Sequence, residues 1–335
     1  MEQTMRRIGV LTSGGDAPGM NAAIRAVVRA AVHHGVECVG IRRGFTGLIN
    51  SDFIVMDAAS VSGISRRGGT MLYSARSDEF RTEAGQEKAV ATCKMLGLDG
   101  IVGIGGDGTF RGLHDLAQRG IAVVGIPGTI DNDISCSTYT IGYDTACNTA
   151  LDAIDKLRDT MQSHERCSVV EVMGHNAGHL ALNVGMGCGA TTVLIPEKKI
   201  DLDRDVIEPI REARLVGRTH FMVIVAEGVG DTYEIAQRIK ETTALDVRVT
   251  VLGHVQRGGA PTSRDRVAAT YMGYNAVRLL LEGKTDRVVC VQNDDYVDYD
   301  ITEALRMKKG IDEQAYKLLR ELASVTIIPR SSSGS

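Results

Sequence analysis

Short apolar runs alternate along the chain with longer stretches in which apolar residues recur at helical spacing. The runs at 7–12 and 101–104 are typical of buried strands, and the periodic stretches at 20–34 and 263–281 predict helices. Gly35 directly follows the first of these helices, which is a common helix stop. Strand and helix alternate in this way over most of the chain, which predicts an α/β fold with mostly parallel sheets.

The same pattern extends through the rest of the chain. Further strands are predicted at 36–41, 121–126, 168–173, 192–195, 221–226, 247–252 and 287–291. Further helices are predicted at 81–96, 110–118, 144–161, 177–186, 203–215 and 232–242.

Composition narrows the class of protein. With 38 Lys and Arg against 42 Asp and Glu, the net charge is -4, which argues against a nucleic-acid partner. No apolar run reaches the length of a membrane span, so no membrane partner is expected. The seven cysteines are scattered without a CxxC pair, and they predict reduced thiols in a cytoplasmic protein.

Three glycine-rich segments, SGGDAPG at 13–19, GGDGT at 105–109 and PGTIDND at 127–133, follow predicted strands. Parallel sheets bind ligands at the carboxyl ends of their strands, and glycines let backbone N–H groups approach phosphates. Asp107 has a carboxylate suited to Mg²⁺, although it is also a candidate N-cap for the next helix. GGDGT indicates nucleotide phosphates without identifying the acceptor.

Charged side chains supply the remaining chemistry. Asp131 and Asp133 are candidates for a base that activates an acceptor hydroxyl and for a second carboxylate that supports this base electrostatically. The alternative interpretation is that both residues belong to a polar turn. Arg166, Arg248 and Arg257 carry guanidinium groups that match phosphate oxygens, although single arginines more often form surface ion pairs.

Taken together, these segments resemble the phosphofructokinase family, and specifically its compact bacterial ATP-dependent branch. Seven motifs occur in family order between about residues 5 and 291: LTSGGDAPGMNAAIR, RGGT, IGGDGT, PGTIDNDI, DKLRDT, VVEVMG and TVLGHVQRGG. The resemblance implies two Rossmann-like three-layer α/β/α domains. The larger, ATP-binding domain is expected at 1–142 plus 255–306, the smaller, sugar-phosphate-binding domain at 143–254 plus 307–330, and a disordered tail at 331–335.

The resemblance also implies a reaction, the transfer of a phosphoryl group from MgATP to the 1-hydroxyl of fructose 6-phosphate. Asp107 is expected to hold Mg²⁺, and Asp131 to act as the base, with Thr129, Ile130 and Asp133 beside it. Arg76 is expected to bridge the transferring group. The residues expected to contact ATP are Gly15, Phe45, Arg76, Ser77, Gly106, Asp107, Gly108 and Thr109.

The sugar phosphate is expected to lie in a site shared between subunits, which implies a homotetramer. Arg166 and Arg248 of a neighbouring subunit are expected to clamp the 6-phosphate. The other residues expected at the sugar phosphate are Met173, Gly174, His175, Glu227, His254 and Arg257. The family usually has Arg where His175 stands, so we expect an imidazolium to serve in catalysis there; the alternative is that His175 caps the following helix or points away.

A second anionic site is implied by the family's effector cleft, which binds ADP or phosphoenolpyruvate. Arg25, Arg29, Arg158 and Arg218 fit its ring of basic residues. Ala58, Val216 and Thr219 stand at basic positions of that ring, and Thr191 at an acidic one. Because these charged side chains are absent, we expect weak responses to ADP and to phosphoenolpyruvate.

Three alternatives stay open at this point. A pyrophosphate-dependent phosphofructokinase typically has Asp where Gly108 stands and Lys where Gly128 stands. An NAD kinase shares GGDGT but lacks PGTIDND and HVQRGG. A nucleotide-binding homologue without catalytic activity would be free to lose Asp107, Asp131 and Arg76, all of which are present here.

Overall fold

The computed structural model describes residues 5–324 of the 335. In chain order the first elements are β1 (Arg7–Thr12), α1 (Met20–His33), β2 (Glu37–Ile41), α2 (Gly44–Asn50), β3 (Phe53–Met56), α3 (Glu83–Met95), β4 (Gly100–Gly105), α4 (Asp107–Ala117), β5 (Ala122–Pro127), α5 (Tyr143–Ser163) and β6 (Cys167–Val172). They are followed by α6 (His179–Gly187), β7 (Thr192–Leu194), α7 (Glu208–Leu215), β8 (Phe221–Ala226), α8 (Thr232–Thr243), β9 (Val247–Val251), α9 (Ser263–Leu281), β10 (Arg287–Gln292), β11 (Asp295–Asp300), α10 (Ile301–Arg306) and α11 (Glu313–Ala323).

The described chain divides into two compact units. The first contains residues 5–146 together with Val255–Lys309, and the second contains Cys147–His254 together with 310–324. The sequence predicted domain boundaries after residues 142, 254 and 306. The predicted tail at 331–335 lies outside the described residues.

The first unit is built on a seven-stranded sheet in the order β11-β10-β5-β4-β1-β2-β3. Its central strands are parallel, while β10–β11 and β2–β3 are antiparallel pairs at the two edges. Thr12 aligns with Ile104, and Gly105 with Pro127. The carboxyl ends of β1, β4 and β5 therefore lie side by side.

Helices cover this sheet because its central strands are apolar on both faces. All six residues of β4 are buried, as parallel strands between two helical layers require. Ile101 belongs to a core cluster with side chains of α2, α3, α4 and α10, among them Leu113. Helices α1 and α9 pack together against β1 and β5, and Gly273 permits their close approach because a Cβ there would lie 2.6 Å from the Cβ of Ala26.

The second unit contains a four-stranded sheet, ordered β7-β8-β6-β9, in which every pair is parallel. All six residues of β8 are buried, and Phe221 packs in a cluster with Val169 of β6 and Ile239 of α8. Both sheets are mostly parallel and carry helices, so the predicted α/β fold class is confirmed.

The structure corrects several predicted elements. Helix α4 begins at Asp107 and not at 110, and the predicted helix 203–215 is a π-helical turn, Asp203–Ile207, that leads into α7. Helices α2, α10 and α11 and strands β3 and β11 were not predicted from the sequence. Strand β11 was missed because its sequence DYVDYD carries three acids, which are rare in buried strands, whereas β11 is a half-exposed edge.

The helices formed by residues 5–324 include none with both the length and the apolar character needed to cross a bilayer. Within the same range, all seven cysteine side chains are buried thiols.

Candidate active site

The three glycine-rich segments meet at the carboxyl edge of the larger sheet. The backbone N–H of Ser13 donates to the carbonyl oxygen of Ile104 at 3.0 Å, and that of Gly128 donates to Gly105 at 3.0 Å. The hydroxyl of Thr109 also donates to the carbonyl oxygen of Ser13, at 3.2 Å. These bonds join the three segments into one surface.

The start of helix α4 lies on this surface. Gly106 is its N-cap, and no side chain among the described residues caps the helix. The amides of its first turn and the positive end of its dipole are therefore presented to an anion. Because Gly106 is the N-cap, the alternative that Asp107 caps the helix is wrong; Asp107 is the first helical residue.

Asp107 lies in an environment that favours a nearby cation. Burial raises the pKa of its carboxyl group; the positive charge of Arg111 opposes this, and the negative charge of Asp133 adds to the rise. The Arg111 guanidinium lies 3.8 Å from the carboxylate. Within residues 5–324, no three His, Cys, Asp or Glu side chains are grouped to hold a metal ion. A single carboxylate fits Mg²⁺, which usually binds one or two carboxylates together with substrate phosphates.

Gly108 faces open space. No heavy atom of the described residues, apart from its chain neighbours and its own helix backbone, lies within 4 Å of the position that a Cβ would occupy there. Gly128 differs, because a Cβ there would lie 3.0 Å from Ile104 and 3.2 Å from Met20. Packing therefore constrains Gly128, whereas nothing among the described residues would obstruct an added side chain at Gly108.

The carboxylate of Asp131 is buried in the loop after β5. The hydroxyl of Thr129 donates to it at 3.2 Å and accepts the backbone N–H of Asp131 at 3.2 Å. The hydroxyl of Thr140 in turn donates to the carbonyl oxygen of Thr129 at 2.7 Å. This chain of bonds fixes where the carboxylate points. Ile130, between Thr129 and Asp131, is fully buried.

The segment that carries Arg76 and Ser77 lies beside the first glycine-rich segment. The hydroxyl of Ser74 donates to the carbonyl oxygen of Gly14. Arg76 itself is exposed, and the hydroxyl of Ser77 accepts the backbone N–H of Phe80 at 3.3 Å. An exposed guanidinium next to a phosphate-binding surface is well placed to meet an anionic ligand.

The expectation for Phe45 needs correction. Its side chain is 5% exposed and stacks on Phe80, with ring centroids 4.2 Å apart. It also fills the space above Gly112, where a Cβ would lie 2.6 Å from the ring. The ring is part of the core, so we remove Phe45 from the expected ATP contacts.

Arg257 lies against the first glycine-rich segment, within the first unit. Its Nη1 atom donates to the carbonyl oxygen of Asp16 at 3.2 Å. A Cβ at Gly15 would lie 2.5 Å from the same nitrogen, so only glycine permits this approach. Arg257 thus joins the segment 13–19 in the structure.

In the second unit, Arg166 and Arg248 converge on one carboxylate. The Nε atom of Arg166 lies 2.5 Å from Asp246, and Nη2 of Arg248 lies 3.3 Å from the same oxygen. Two guanidinium groups share one negative charge, which leaves a net positive charge. Ser168 aligns with Arg248 between β6 and β9, so both arginines lie at the amino end of this sheet.

At the opposite, carboxyl end of the same sheet, Glu227 holds the loop after β6. Its Oε1 atom accepts the backbone N–H of His175 at 2.6 Å and that of Gly174 at 3.2 Å. His175 has a left-handed φ of 55° and an exposed side chain. The N-cap of α6 is Gly178, so the alternative in which His175 caps this helix is wrong.

Strand β6 separates these two groups. Arg166 precedes the strand and Met173 follows it, and six residues at about 3.3 Å each span roughly 20 Å. Met173 is buried, and His254 is exposed after β9, at the same end of the sheet as Met173. The arginine pair and the loop of Glu227 therefore lie at opposite ends of the sheet in a single copy of the chain.

The four expected effector arginines are distributed over both units. Arg25 and Arg29 lie on α1 in the first unit, and Arg158 and Arg218 lie in the second. The Arg158 guanidinium donates to the carbonyl oxygen of Cys188, while Arg218 is exposed.

Lys309 is a residue that the sequence analysis missed. Its ammonium group donates to the carbonyl oxygens of Asn132 and Ser137, each at 2.7 Å, and to the side-chain oxygen of Asn132 at 3.0 Å. It lies after α10, in a stretch for which no element was predicted, and it is one of two adjacent lysines. Nothing in the sequence distinguishes it from its neighbour.

Comparisons with known proteins identify the same family that the sequence motifs resemble. A family model described as Phosphofructokinase matches residues 7–280. An ATP-dependent 6-phosphofructokinase from Clostridium botulinum (strain Loch Maree / Type A3) is 53% identical over 314 residues, which cover 94% of this chain and 98% of the relative. One from Clostridium novyi (strain NT) is 52% identical over 319 residues, covering 95% of this chain and 100% of the relative.

Solved structures share the fold. A phosphofructokinase from Saccharomyces cerevisiae matches with a TM-score of 0.86 and 33% identity over 95% of this chain. This chain covers 48% of the yeast chain, about half its length. A pyrophosphate-dependent phosphofructokinase from Marinobacter aquaeolei matches with a TM-score of 0.82 and 18% identity over 98% of this chain and 94% of that chain, which shows the fold alone.

Proposed function

The chain belongs to the phosphofructokinase family, and from this we propose that it transfers the γ-phosphoryl group of ATP to the 1-hydroxyl of fructose 6-phosphate. The products are ADP and fructose 1,6-bisphosphate. The observation that carries the proposal is one surface, at the carboxyl ends of β1, β4 and β5, that joins an anion-binding helix start to two carboxylates, Asp107 and Asp131.

The ATP phosphates bind at the start of α4. Gly106, Gly108 and Thr109 bring backbone amides to the phosphate oxygens, and Gly15 lets the Arg257 guanidinium lie against the first glycine-rich segment. Ser77 supports the adjoining segment, from which Arg76 reaches the transferring group. Positive charge at that place stabilises the charge that spreads over the phosphoryl oxygens during transfer.

Asp131 is the general base. It takes the proton from the 1-hydroxyl as the sugar oxygen attacks the γ-phosphorus and the bond to the ADP oxygen breaks. Thr129 keeps the carboxylate oriented, and Asp133 lies two residues further along the same loop.

Asp107 would hold Mg²⁺ through its carboxylate. When bound, the ion offsets negative charge on the ATP phosphates. The raised pKa of Asp107 fits this role, since a cation favours the ionised form that burial disfavours.

ATP is favoured over pyrophosphate as the donor because Gly108 leaves open space in front of the helix start. An acidic side chain there would place a negative charge against the nucleotide phosphates. With Gly at this position, the space remains for the longer triphosphate.

The sugar phosphate binds between copies of the chain. Glu227, Gly174 and His175 of one subunit line the sugar, with Met173 and His254, while Arg166 and Arg248 of a neighbouring subunit clamp the 6-phosphate. The separation of these groups across β6 supports a shared site, because one copy cannot bring both to one ligand. A shared site of this kind fits a homotetramer.

Two further parts of the proposal concern effector binding and the cellular compartment. Arg25, Arg29, Arg158 and Arg218 stay the residues proposed to bind anionic effectors weakly, and Arg158 is already bonded to a backbone carbonyl. The buried thiols fit a reducing compartment, and we place the protein in the cytoplasm.

The reaction is tested with γ-labelled ATP, fructose 6-phosphate and Mg²⁺. We expect label in a product that aldolase cleaves, with one ADP released for each label transferred. The Asp131→Asn variant is the matched control, with turnover lower on the order of 10²–10⁴-fold and an unchanged melting temperature. Failure of the wild-type protein to label the sugar phosphate under these conditions would reject the proposed function.

A further inference from the structure

Lys309 joins the two ends of the loop that follows the proposed base. Its Nζ atom donates to Asn132 near one end of the loop and to Ser137 near the other, at 2.7 to 3.0 Å. An ammonium group has three N–H donors, and each has an acceptor here. Lys309 therefore makes all of its hydrogen bonds to one short segment of chain.

The bonded segment lies next to the proposed catalytic groups. Asn132 stands between Asp131 and Asp133, and it has a left-handed φ of 51°, a backbone conformation that is costly for residues other than glycine. Its side chain also donates to the carbonyl oxygen of Thr138 at 3.3 Å. The two bonds from Lys309 to Asn132 help to hold this conformation, and they fix the side chain of Asn132 and the peptide between Asn132 and Asp133.

The far end of the loop is attached to the sheet. The hydroxyl of Ser137 accepts the backbone N–H of Val291 in β10 at 3.0 Å, and the backbone N–H of Thr138 donates to Val291 at 2.8 Å. Through Ser137, Lys309 connects the loop of the proposed base to β10 of the larger sheet. A loop fixed at both ends positions its side chains more closely than one fixed at one end.

We propose that Lys309 is a positioning residue for phosphoryl transfer, whose ammonium group holds Asn132 and Ser137 so that the Asp131 carboxylate keeps its place. This inference rests on the proposed function. Lys309 lies outside the glycine-rich motifs, and the proposal adds it to the residues that determine kcat.

The charge of Lys309 gives the inference a pH dependence. The charged groups that act on it are Asp133 and the thiol of Cys136, and both favour the ammonium form. Burial outweighs them and lowers the pKa of Lys309 to about 8. Above that pH the neutral amine keeps two N–H donors for three acceptors, so one bond to the loop is lost. Turnover should therefore decline as pH rises through about 8.

Unfolding does not account for such a decline. When folding lowers the pKa of a lysine, that lysine contributes to stability at pH values above the pKa it has in the unfolded chain. This contribution is lost as the pH falls through the pKa it has in the folded protein. The contribution of Lys309 to the free energy of unfolding thus increases with pH between about 8 and the ordinary value of 10.5. A decline in turnover over this range would reflect the loop and not loss of the fold.

The test compares Lys309→Met and Lys309→Arg with the control Lys308→Met. Lys308 is the adjacent lysine, and its side chain is exposed. We would measure kcat, and KM for both substrates, from pH 6 to 10, together with melting temperatures. Lys309→Met should lower kcat about 10-fold near pH 7, change each KM less than about 3-fold and lack the decline above pH 8. Lys309→Arg should keep more activity and also lack the decline, because its guanidinium stays charged. Lys308→Met should match wild type throughout.

Amide hydrogen exchange over 131–138 tests the same bonds without any turnover. We expect faster exchange in Lys309→Met than in wild type and Lys308→Met, which keeps the inference testable if the proposed reaction itself fails. A wild-type kcat and an unchanged decline above pH 8 in Lys309→Met would overturn the positioning role. Unchanged exchange in 131–138 would do so equally, whatever the reaction.

Discussion

Gly108 and Gly128 are two glycines that the sequence analysis treated alike, as markers of the phosphoryl donor. The structure separates them. A Cβ at Gly108 meets only open space among the described residues beyond its own helix, whereas a Cβ at Gly128 would press on Ile104 and Met20. Only Gly108 thus tests donor choice without disturbing the core.

We expect Gly108→Asp to fold normally and to raise KM for ATP on the order of 100-fold, because its carboxylate would face the triphosphate. Gly108→Ala, the matched control, should change KM for ATP only a few-fold. Steady-state kinetics and melting curves for both variants would check this. Normal use of ATP by Gly108→Asp would show that the open space does not admit the phosphates.

Individual residues also show what could and could not be predicted from the sequence. Resemblance to a family makes Asp107 and Asp131 candidates for the metal ligand and the base, because their motifs occur in family order and follow predicted strands. It does not say which way a side chain points, and so Phe45 was expected at the nucleotide although its ring is in the core. Lys309 had no signal at all, since its acceptors are more than 170 positions away in sequence.

At the scale of elements, prediction succeeded where strands and helices are buried and regular. Strands β1 and β8 and helix α9 have the predicted bounds, because continuous apolar runs and a long helical period are unambiguous. Strand β11 was missed because its half-exposed sequence DYVDYD lacks such a run, whereas β3 was missed although its four residues, FIVM, are all apolar. Helix α2, with seven residues, is too short to show a helical period.

Helix α2 gives a prediction at this scale. Phe45 joins α2 to the core through Phe80 and Gly112, so Phe45→Ala should lower the free energy of unfolding by about 3–5 kcal/mol. KM for ATP at a temperature where the variant is folded should stay within about 2-fold of wild type. Denaturant unfolding and kinetics would separate the two effects. A large rise in KM for ATP with unchanged stability would instead return Phe45 to the nucleotide site.

At the scale of the whole molecule, the account depends on more than one copy of the chain. Arg166 and Arg248 lie at the amino end of the smaller sheet, and Glu227 lies at its carboxyl end. We proposed that these ends serve two different sites in an oligomer. The oligomer then has a functional consequence that a mixing experiment can reveal.

Arg248→Ala and Asp131→Asn proteins should each be nearly inactive alone. After subunit exchange in an equal mixture, about a quarter of the sites should have both residues intact, and activity should recover in that proportion. A mixture of Arg248→Ala with Arg166→Ala is the control, because both changes remove the same clamp. If verified exchange restores no activity in the first mixture, each site is complete within one subunit.

The most direct test of the account is the donor preference of the unmodified protein. With fructose 6-phosphate and Mg²⁺ present, kcat/KM would be measured side by side for ATP and for pyrophosphate. We predict that ATP is preferred by at least about 1,000-fold, since the site offers glycine and helix amides to a nucleotide triphosphate. Comparable or better turnover with pyrophosphate would contradict the central claim.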